Sequence, residues 1–421
     1  MLREDIGRFN EWWFTGKIRK ELALPFKRHV LSKILESLQD RQVLIIVGLR
    51  RIGKTTLLYQ TIEKLLEKEE PVKILYFSFE DSSYDIKEVL SFYEKYVLKK
   101  PFEEAGKVYI FFDEIHYAKN WSSAIKQFYD LYPNIKFLIS GSSSLLLSKE
   151  AFEKLAGRFF FLEVKPLTFL EFLEMRGIEF REDDIYSRRI EAYFLDYLRK
   201  AGFPEIVDWG NEAKIAEYIR NSVIDKIILK DIPLFFKTKD IVLMEKLVKI
   251  ILSNPGSMIN INSLSRDLGE NKITISNYLK FLEASLLVRT LSNFRPSAIS
   301  SSRKLKKFYP AAPSLTFSYS KEIFERNLGL MLETYVVNSL DAKYYFRKGK
   351  KEVDIILSKD SRIIPVEVKE NVDERDIEKF SRLIREFGVE RGFMITLSQK
   401  FERKEIDVVP AYLLEKYFLN L

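Results

Sequence analysis

The sequence predicts an α/β fold that opens on a parallel sheet, continues through a helical stretch and returns to strands near its end. Residues 43–47, 108–112 and 135–139 have the length and the β-branched or aromatic content of buried strands, and helical spacings separate them. Such alternation is typical of a parallel sheet covered by helices. From Pro166 to about Lys239 the apolar residues recur at helical spacings only, which indicates a small helical domain.

A glycine-rich segment directly follows the first predicted strand. Residues 48–56 read G-L-R-R-I-G-K-T-T and fit the phosphate-binding pattern G-x-x-x-x-G-K-[ST], with an amphipathic helical pattern after them. In that pattern backbone N–H groups cradle a phosphate, the lysine reaches the outer phosphates and the hydroxyl contacts Mg²⁺. A chance glycine-rich turn is the alternative, which the flanking strand and helix disfavour. The sequence therefore predicts binding of ATP with Mg²⁺ through Gly48, Arg51, Gly53, Lys54, Thr55 and Thr56.

Polar residues follow the next two sheet strands as well. Asp113 is placed to hold Mg²⁺ and Glu114 to polarise the attacking water, and the alternative is an acidic cap on a buried strand. Residues 140–144 read S-G-S-S-S at the carboxyl edge of the sheet, where ligands bind. There we take Ser142 as a candidate contact of the terminal phosphate, with a helix N-cap as the alternative. Arg158 is a candidate arginine finger, from the same chain or a neighbouring subunit, and an ordinary surface arginine otherwise.

Composition and charge limit the classes of protein to consider. The chain has 421 residues, 46% of them hydrophobic, which suits two to four domains with buried cores. Without cysteine and with two histidines, it lacks disulfides and thiolate sites and disfavours a histidine-built zinc site. We find no signal-peptide core and no apolar run of membrane length, so we expect a cytoplasmic protein without membrane contact. The formal net charge of +8 favours a polyanionic partner.

Residues 241–291 combine a helix, a short helix that ends at Gly269, a second helix and a strand, which is the order of a winged helix-turn-helix. The second helix offers side chains of the types that contact phosphates and base edges. Between Arg289 and Lys307 there are six basic residues and no acidic one. We therefore expect contact with DNA, and the alternative is protein contact through the same fold. The expected DNA-binding residues are Lys272, Thr274, Asn277, Lys280, Arg303, Lys304, Lys306 and Lys307.

A second group of charged residues lies on the last predicted strands. Period-two alternation places Glu367 and Lys369 on one face of a strand, where Asp354 of a neighbouring strand can join them and Glu333 of a preceding helix is within reach. Two carboxylates and a lysine so arranged can hold a divalent cation and activate water for attack on a phosphodiester. Asp354 and Glu367 would bind Mg²⁺ or Mn²⁺. The alternative is a half-buried strand with charges directed to solvent.

Together these motifs resemble those of prokaryotic AAA-type ATPases, abundant in archaea, that join a P-loop domain, a lid, a winged helix and a domain similar to restriction endonucleases. The resemblance rests on the phosphate loop and on Phe112-Asp113-Glu114, Ser140-Gly141-Ser142-Ser143, Leu155-Ala156-Gly157-Arg158, Pro166-Leu167-Thr168-Phe169, Gly202-Phe203-Pro204, Asp231-Ile232, Gly329-x-x-x-Glu333, Glu352-Val353-Asp354 and Glu367-Val368-Lys369. In one departure, Pro310 follows Tyr309 where such proteins often carry an aspartate. The resemblance implies ATP hydrolysis and an α/β fold: a P-loop parallel-sheet ATPase core with a helical lid, a winged helix and a C-terminal α/β nuclease-like domain.

The expected domains are a helical lead-in at residues 1–40, the ATPase core at 41–165, the lid at 166–240, the winged helix at 241–317 and the nuclease-like domain at 318–421. Two functions are compatible with this organisation. In the first, the chain is an ATP-driven DNA-processing enzyme whose last domain cuts or holds DNA. In the second, it is a nucleotide-controlled switch whose last domain binds DNA or a partner protein without cutting. An arginine finger supplied between subunits would imply a homo-oligomer in either case.

Overall fold

The computed structural model describes residues 2–80, 82–142, 145, 153–181, 184–236, 238, 240–295, 305–359 and 362–418. The chain divides into two compact units, Met1–Lys165 and Pro166–Leu421. The division falls where the apolar spacing of the sequence changes to a purely helical one. Within these ranges no helix is both long and apolar enough to cross a membrane.

A parallel sheet forms the core of the first unit. Its described strands are β1 (Val43–Gly48), β2 (Ile74–Ser78), β3 (Val108–Asp113), β4 (Ile135–Ser142) and β5 (Phe159–Glu163), in the order β2-β3-β4-β1-β5. Every described pairing is parallel. Because β1, β3 and β4 are buried along their whole length, they read as continuous apolar runs. The predicted α/β fold with a parallel-sheet core is confirmed.

The helices of the first unit cover this sheet and protect its edge. They are α1 (Leu2–Phe9), α2 (Trp12–Thr15), α3 (Lys20–Ala23), α4 (Leu31–Glu36), α5 (Lys54–Leu65), α6 (Ile86–Phe92) and α7 (Trp121–Leu131). Asn10 exchanges two hydrogen bonds with the backbone of Tyr76, at 2.8 and 2.7 Å, and Trp12 Nε1 donates to Ile74 O at 3.1 Å. The N-terminal helices thus satisfy backbone groups on the outer edge of β2, which would otherwise be unpaired.

The second unit begins with helices. Its described helices are α8 (Phe169–Met175), α9 (Asp184–Lys200), α10 (Glu212–Ile219), α11 (Ile232–Phe236), α12 (Ile241–Ser253), α13 (Ile261–Leu268), α14 (Lys272–Ala284), α15 (Pro313–Tyr319), α16 (Lys321–Arg326), α17 (Leu328–Ser339), α18 (Glu374–Phe387) and α19 (Leu414–Phe418). Two π-helical turns, Arg220–Ile224 and Ile227–Asp231, lie between α10 and α11.

One mixed sheet runs through the second unit. Its described strands are β6 (Ser257–Ile259), β7 (Val288–Asn293), β8 (Lys306–Pro310), β9 (Tyr344–Lys348), β10 (Lys351–Lys359), β11 (Arg362–Val368), β12 (Gly392–Thr396), β13 (Phe401–Arg403) and β14 (Ile406–Pro410). Their order is β13-β14-β12-β11-β10-β9-β7-β8-β6. Parallel pairing of β7 with β9 joins the three strands around α13 and α14 to the C-terminal strands. Residues 241–317 and 318–421 therefore share a single sheet.

The C-terminal strands are held by a hydrophobic core beneath α18. Phe380 and Ile384 of this helix pack with Val353, Ile356 and Met394 of the sheet, all of them buried. The antiparallel register of β10 and β11 pairs Ile355 with Val366, so the next pair in that register sets Asp354 opposite Glu367. Opposed residues of an antiparallel pair have Cβ atoms about 5 Å apart. The core thereby fixes two carboxylates on one face of the sheet.

Candidate functional site

The phosphate loop connects the end of β1 to the start of α5. A Cβ at Gly48 would lie 2.4 Å from Ile52 Cδ1 and 2.5 Å from the carbonyl oxygen of Val164, so only glycine fits there. Gly53, with φ 92°, is the left-handed residue from which α5 begins. Lys54 Nζ donates to the carbonyls of Gly48 at 3.0 Å and Leu49 at 2.8 Å. The loop therefore encloses the ammonium group that the pattern assigns to the phosphates.

Asp113 is the centre of a hydrogen-bond cluster where β1, β2, β3 and β4 end. Its Oδ2 accepts from Thr55 Oγ1 at 2.7 Å and from Tyr76 OH at 2.9 Å, and its Oδ1 accepts from the hydroxyl of Ser140 and from the backbone N–H of Glu114. Asp113 is buried, whereas Thr55 is exposed at the mouth of the cluster. A carboxylate and a hydroxyl oxygen in contact are a ligand pair that suits Mg²⁺. The residues present fit the ion that the sequence predicts.

Glu114 lies beside this cluster in a constrained position. Its backbone is left-handed, with φ 49°, which turns the chain sharply after β3. Burial raises the pKa of Glu114 to about 7, and the nearby charge of Lys54 partly opposes that shift. Glu114 Oε2 lies 3.3 Å from Nδ1 of His116, and the same nitrogen accepts the backbone N–H of Ser142 at 3.2 Å. His116 thus connects the candidate catalytic carboxylate to the end of β4.

The remaining predicted nucleotide contacts have different surroundings. Arg51 is exposed in the loop with a left-handed backbone, φ 65°, and Thr56 is half-buried on α5. Ser142 is buried, and its backbone N–H donates to His116 Nδ1. Ser140, two residues earlier on the same strand, is the serine whose hydroxyl reaches Asp113. The sequence pointed to the correct strand end for a polar contact, and the structure adds Ser140 to it.

Arg158 lies at the amino ends of the parallel strands, whereas the phosphate loop lies at their carboxyl ends. Its carbonyl accepts the N–H of Val43, the first residue of β1, at 2.8 Å, and its side chain forms an ion pair with Asp130 at 2.7 Å. The length of β1 separates this position from Gly48 by roughly 16 Å. This separation contradicts the expectation that Arg158 serves the nucleotide of its own chain. Two interpretations remain: an ordinary surface arginine held by Asp130, and a finger offered to a neighbouring subunit.

Several residues at the nucleotide site were not identified from the sequence. Tyr76 and Ser140 both bond to Asp113, and Arg28 Nη1 donates to the carbonyl of Ile52 in the phosphate loop at 3.2 Å and to that of Lys165 at 3.1 Å. For Ser140 the sequence shows only that it follows an apolar strand, as Asp113 does; the observed β3–β4 register, which pairs Phe112 with Ile139, brings Asp113 and Ser140 to the same level. For Arg28, a residue of the lead-in helices, no local pattern indicates the contact.

The predicted carboxylates of the C-terminal strands do lie together. Asp354 Oδ2 accepts the backbone N–H of Val368 at 3.0 Å, and Lys369 Nζ lies 3.5 Å from Glu367 Oε1. Glu367 Oε2 is buried without a hydrogen-bond partner. Burial, followed by the charge of Asp354, raises the pKa of Glu367 to about 8. A buried carboxylate oxygen that lacks a donor is the kind of group that a cation stabilises.

Lys307 lies among three carboxylates, those of Glu333, Glu352 and Asp354, which together with Glu367 we call the carboxylate centre. Its side chain is 6% exposed, and its Nζ is 2.9 Å from Glu352 Oε1, 3.5 Å from Glu333 Oε1 and 3.8 Å from Asp354 Oδ1. Burial alone would lower the pKa of Lys307, but the surrounding carboxylates outweigh it and raise the pKa, so the side chain keeps its charge. The prediction that Lys307 contacts DNA is wrong, because its ammonium group is enclosed by these carboxylates.

Glu333 completes the centre from α17. Its carboxylate accepts a hydrogen bond from Tyr309 OH at 2.6 Å, and burial together with the charge of Asp354 raises its pKa to about 7. Across the parts of the chain that the structure describes, no group of three or more His, Cys, Asp or Glu side chains is arranged to hold a metal ion. The predicted site for Mg²⁺ or Mn²⁺ therefore depends on the pair Asp354 and Glu367.

The other expected DNA contacts are distributed unevenly. On α14, Lys272, Asn277 and Lys280 are exposed and Thr274 is half-buried. Lys306 is exposed at the start of β8, with its Nζ 3.6 Å from Glu283 Oε2. Arg303 and Lys304 lie outside the described residues. The basic run is thus less uniform than the sequence suggested, since Arg289 also pairs with Asp341 at 2.7 Å and Arg295 donates to the carbonyl of Arg347 at 2.5 Å.

Three family models match successive parts of the chain. Residues 40–173 match the model described as AAA domain. Residues 191–320 and 328–414 match two models described as Domain of unknown function (DUF8612) and Domain of unknown function (DUF4143).

Among curated proteins, the uncharacterized protein MJ1544 of Methanocaldococcus jannaschii is 28% identical over 396 residues, which are 90% of this chain and 87% of that protein. An uncharacterized protein of Haemophilus influenzae is 28% identical over 272 residues, 63% of this chain and 66% of that protein.

Two solved structures are similar at low scores. The Aeropyrum pernix ORC1 protein, solved in complex with DNA, gives a TM-score of 0.34 at 15% identity over 74% of this chain and 98% of that one. The signal transduction ATPase PH0952 from Pyrococcus horikoshii, with a tetratricopeptide repeat sensor, gives 0.29 at 12% identity over 74% of this chain and 47% of that one. Residues 40–173 are thus similar to AAA domains, and they contain the phosphate loop and the Asp113 cluster, a combination that supports ATP binding.

Proposed function

We propose that the protein is a Mg²⁺-dependent ATPase that acts on DNA. The observation that carries the first part is the contact of Thr55 with Asp113 next to Glu114, whose side chain is 15% exposed. In phosphoryl transfer the protein supplies position and charge, and these residues supply both. Lys54 would bind the outer phosphates, and Thr55 and Asp113 would hold Mg²⁺, which when bound would supply positive charge next to the phosphate oxygens.

Glu114 is the residue that takes the proton of the attacking water. A general base works best when its pKa lies near the working pH, and burial brings the pKa of Glu114 to about 7. His116 packs against the carboxylate, with Nδ1 3.3 Å from Glu114 Oε2, and the bond that Nδ1 accepts from the backbone N–H of Ser142 fixes the position of its ring. We expect slow turnover by the isolated protein and faster turnover with DNA or on assembly.

Two substitutions test the ATPase assignment. Lys54→Ala removes the phosphate contact and is expected to weaken binding of a fluorescent ATP analogue, whereas Glu114→Gln is expected to keep that binding and lose phosphate release. Glu104→Gln, an exposed acid of the same unit, is the matched control. Wild-type phosphate release by Glu114→Gln would refute the role of Glu114.

The proposed DNA contact is supported by α14. Lys272, Asn277 and Lys280 are exposed along it, and Ile273 is 70% exposed beside them. A short strand, two helices and a two-stranded hairpin follow α12 in the order typical of a winged helix, whose second helix enters the major groove. Lysine and asparagine contact phosphates and base edges there, and an aliphatic side chain can contact a thymine methyl group.

We further propose that the C-terminal strands form a metal-dependent centre that acts on phosphodiesters. The unpaired Oε2 of Glu367, opposite Asp354, is the observation that favours this second function. Asp354 and Glu367 would hold Mg²⁺ or Mn²⁺, and Lys369 would orient water or stabilise charge on the phosphate. The competing proposal is a switch whose last domain binds DNA without cutting. Nicking of plasmid DNA that requires Mg²⁺ and is lost in Asp354→Asn separates the two, and the absence of any nicking by the wild-type protein would favour the switch.

A further inference from the structure

The ammonium of Lys307 occupies the middle of a carboxylate centre built from different elements. Lys307 comes from β8, Glu333 from α17, and Glu352 and Asp354 from β10, and each carboxylate has an oxygen within 3.8 Å of Lys307 Nζ. The ring of Tyr345, whose centroid is 5.4 Å from the nitrogen, covers the same side chain. An ammonium group has three N–H donors, and it meets three carboxylates here.

The surrounding charges explain why an ammonium is stable in this position. Glu333 is buried, Asp354 is mostly buried and Glu352 is half-buried, so three carboxylates with reduced solvation lie close together. Such carboxylates repel one another, and a cation among them offsets that repulsion. Lys307 supplies that cation covalently, from a strand whose position is fixed by pairing with β6 and β7. It contacts Asp354 through Oδ1, whereas Oδ2 bonds to the Val368 N–H on the adjoining strand. The two oxygens of Asp354 therefore belong to two different halves of the centre.

We propose that Lys307 is a built-in cation that closes the half of the centre bounded by Glu333, Glu352 and Asp354 to divalent metal ions. Two-metal phosphodiester sites hold their ions about 4 Å apart on shared carboxylates. Here the ammonium takes the place of one of those ions, which leaves room for one divalent ion beside Glu367. The proposal of an ion beside Glu367 rests on the second function proposed above. The proposal that Lys307 excludes a metal ion does not rest on it.

The inference predicts that removal of the ammonium creates a metal site. In Lys307→Met the side chain keeps a similar length but loses its charge, so three carboxylates face a space without a cation. Mn²⁺ takes carboxylate oxygens as ligands and is counted directly by the electron paramagnetic resonance signal of the free ion. In the described structure, with the lysine between them, these carboxylates are not arranged to hold a metal ion, so binding requires them to close around the ion. We expect the full-length, nucleotide-free variant to bind one more Mn²⁺ per chain than the wild type does.

Two control variants make the measurement specific. Lys306→Met changes the adjoining residue of the same strand, whose side chain is exposed, and is expected to bind Mn²⁺ like the wild type. Lys307→Arg keeps a positive charge in the centre and is expected to gain no Mn²⁺. Adding Glu333→Gln to Lys307→Met removes one of the new ligands and is expected to weaken the additional binding.

The outcomes separate this inference from the proposed nuclease-like function. One Mn²⁺ at the carboxylate centre of the wild type and two at that of Lys307→Met would support both the built-in cation and the metal site at Glu367. None in the wild type and one in the variant supports the built-in cation and removes the site at Glu367. Equal Mn²⁺ binding by wild type and Lys307→Met overturns the inference. If Lys307→Met unfolds by itself, Mn²⁺ must restore the wild-type thermal transition, and failure to restore it overturns the inference as well.

Discussion

Glu415 offers a test of how burial controls the stability of the second unit. Its Oε1 accepts the backbone N–H of Phe169, the first residue of α8, at 2.9 Å, so α19 holds the start of a helix that lies far away in sequence. Burial raises the pKa of Glu415 from 4.5 to about 7, although the hydrogen bonds it accepts from Phe169 and Thr168 oppose the shift. The folded state therefore keeps a proton that the unfolded chain has already released.

The sign and size of the effect follow from the two pKa values. Between pH 4.5 and about 7 the folded state binds more protons at Glu415, so its contribution to stability falls as the pH rises and is lowest above pH 7. One pKa unit corresponds to about 1.4 kcal/mol, so a shift from 4.5 to about 7 costs at most about 3–4 kcal/mol at pH 8. Glu415→Gln removes the charge and keeps an oxygen that can accept the N–H of Phe169.

We expect Glu415→Gln to match the wild type at pH 5 and to exceed it at pH 8 by about 2–3 kcal/mol in the free energy of unfolding. For a unit of this size that difference raises the melting temperature by roughly 5–10 °C. Thermal unfolding of both proteins from pH 5 to pH 9, followed by calorimetry, measures it. Other titrating groups are common to both proteins, so their contributions cancel in the difference.

Glu217→Gln, an exposed acid on α10, is the control, and it should change the melting temperature little at either pH. A constant difference between Glu415→Gln and the wild type across the pH range would refute the reasoning. In that case the carboxyl of Glu415 would be ionised in the folded state at low pH, and burial would not control its charge.

Three further predictions concern the proposed activities. Lys272→Ala with Lys280→Ala should weaken DNA binding and reduce the salt slope of log K by about two, measured by fluorescence anisotropy, while the same change at Lys246 and Lys249 of α12 should not. Asp354→Asn should abolish Mg²⁺-dependent plasmid nicking while phosphate release from ATP continues, so retained nicking would exclude Asp354 as a ligand. If Arg158 acts on a neighbouring subunit, Arg158→Ala should lower ATP turnover by about a thousandfold, whereas Asp130→Asn, which frees the guanidinium, should not. Equal ATP turnover in Arg158→Ala and the wild type would contradict the arginine finger and favour a surface arginine that pairs with Asp130.

The parts of the nucleotide site that are local in sequence could be predicted. Gly48, Gly53 and Lys54 belong to one turn whose backbone conformation requires glycine, and Asp113 directly ends an apolar strand. What could not be predicted is which residues of other strands meet Asp113. Tyr76 and Ser140 reach it only because β2, β3 and β4 end at the same level, and strand order is a property of the whole sheet.

The DNA-binding prediction failed at Lys307 for a related physical reason. Charge counted along the chain does not reveal on which face of a strand a side chain lies. Period-two alternation separates Lys306, which is exposed, from Lys307, which is buried among carboxylates, although the two are neighbours. The composition of residues 289–307 is that of a basic loop, but the pairing of β7 with β9 directs one of its lysines to the acids of the next strands.

The strand order of the second unit's sheet also explains why the positions of Asp354 and Glu367 were easier to predict than the position of Lys307. Glu367 and Asp354 lie on two strands consecutive in the chain, and the antiparallel register that brings them together depends on a short connection. Lys307 reaches Asp354 across β7 and β9, so its position depends on a parallel pairing between segments about 50 residues apart. A variant that disrupts the β7–β9 pairing should therefore release Lys307 from the centre while the register of β10 and β11 remains. The position of Lys307 in the centre thus depends on the pairing of β7 with β8 and β9, next to the helices for which we propose DNA contact.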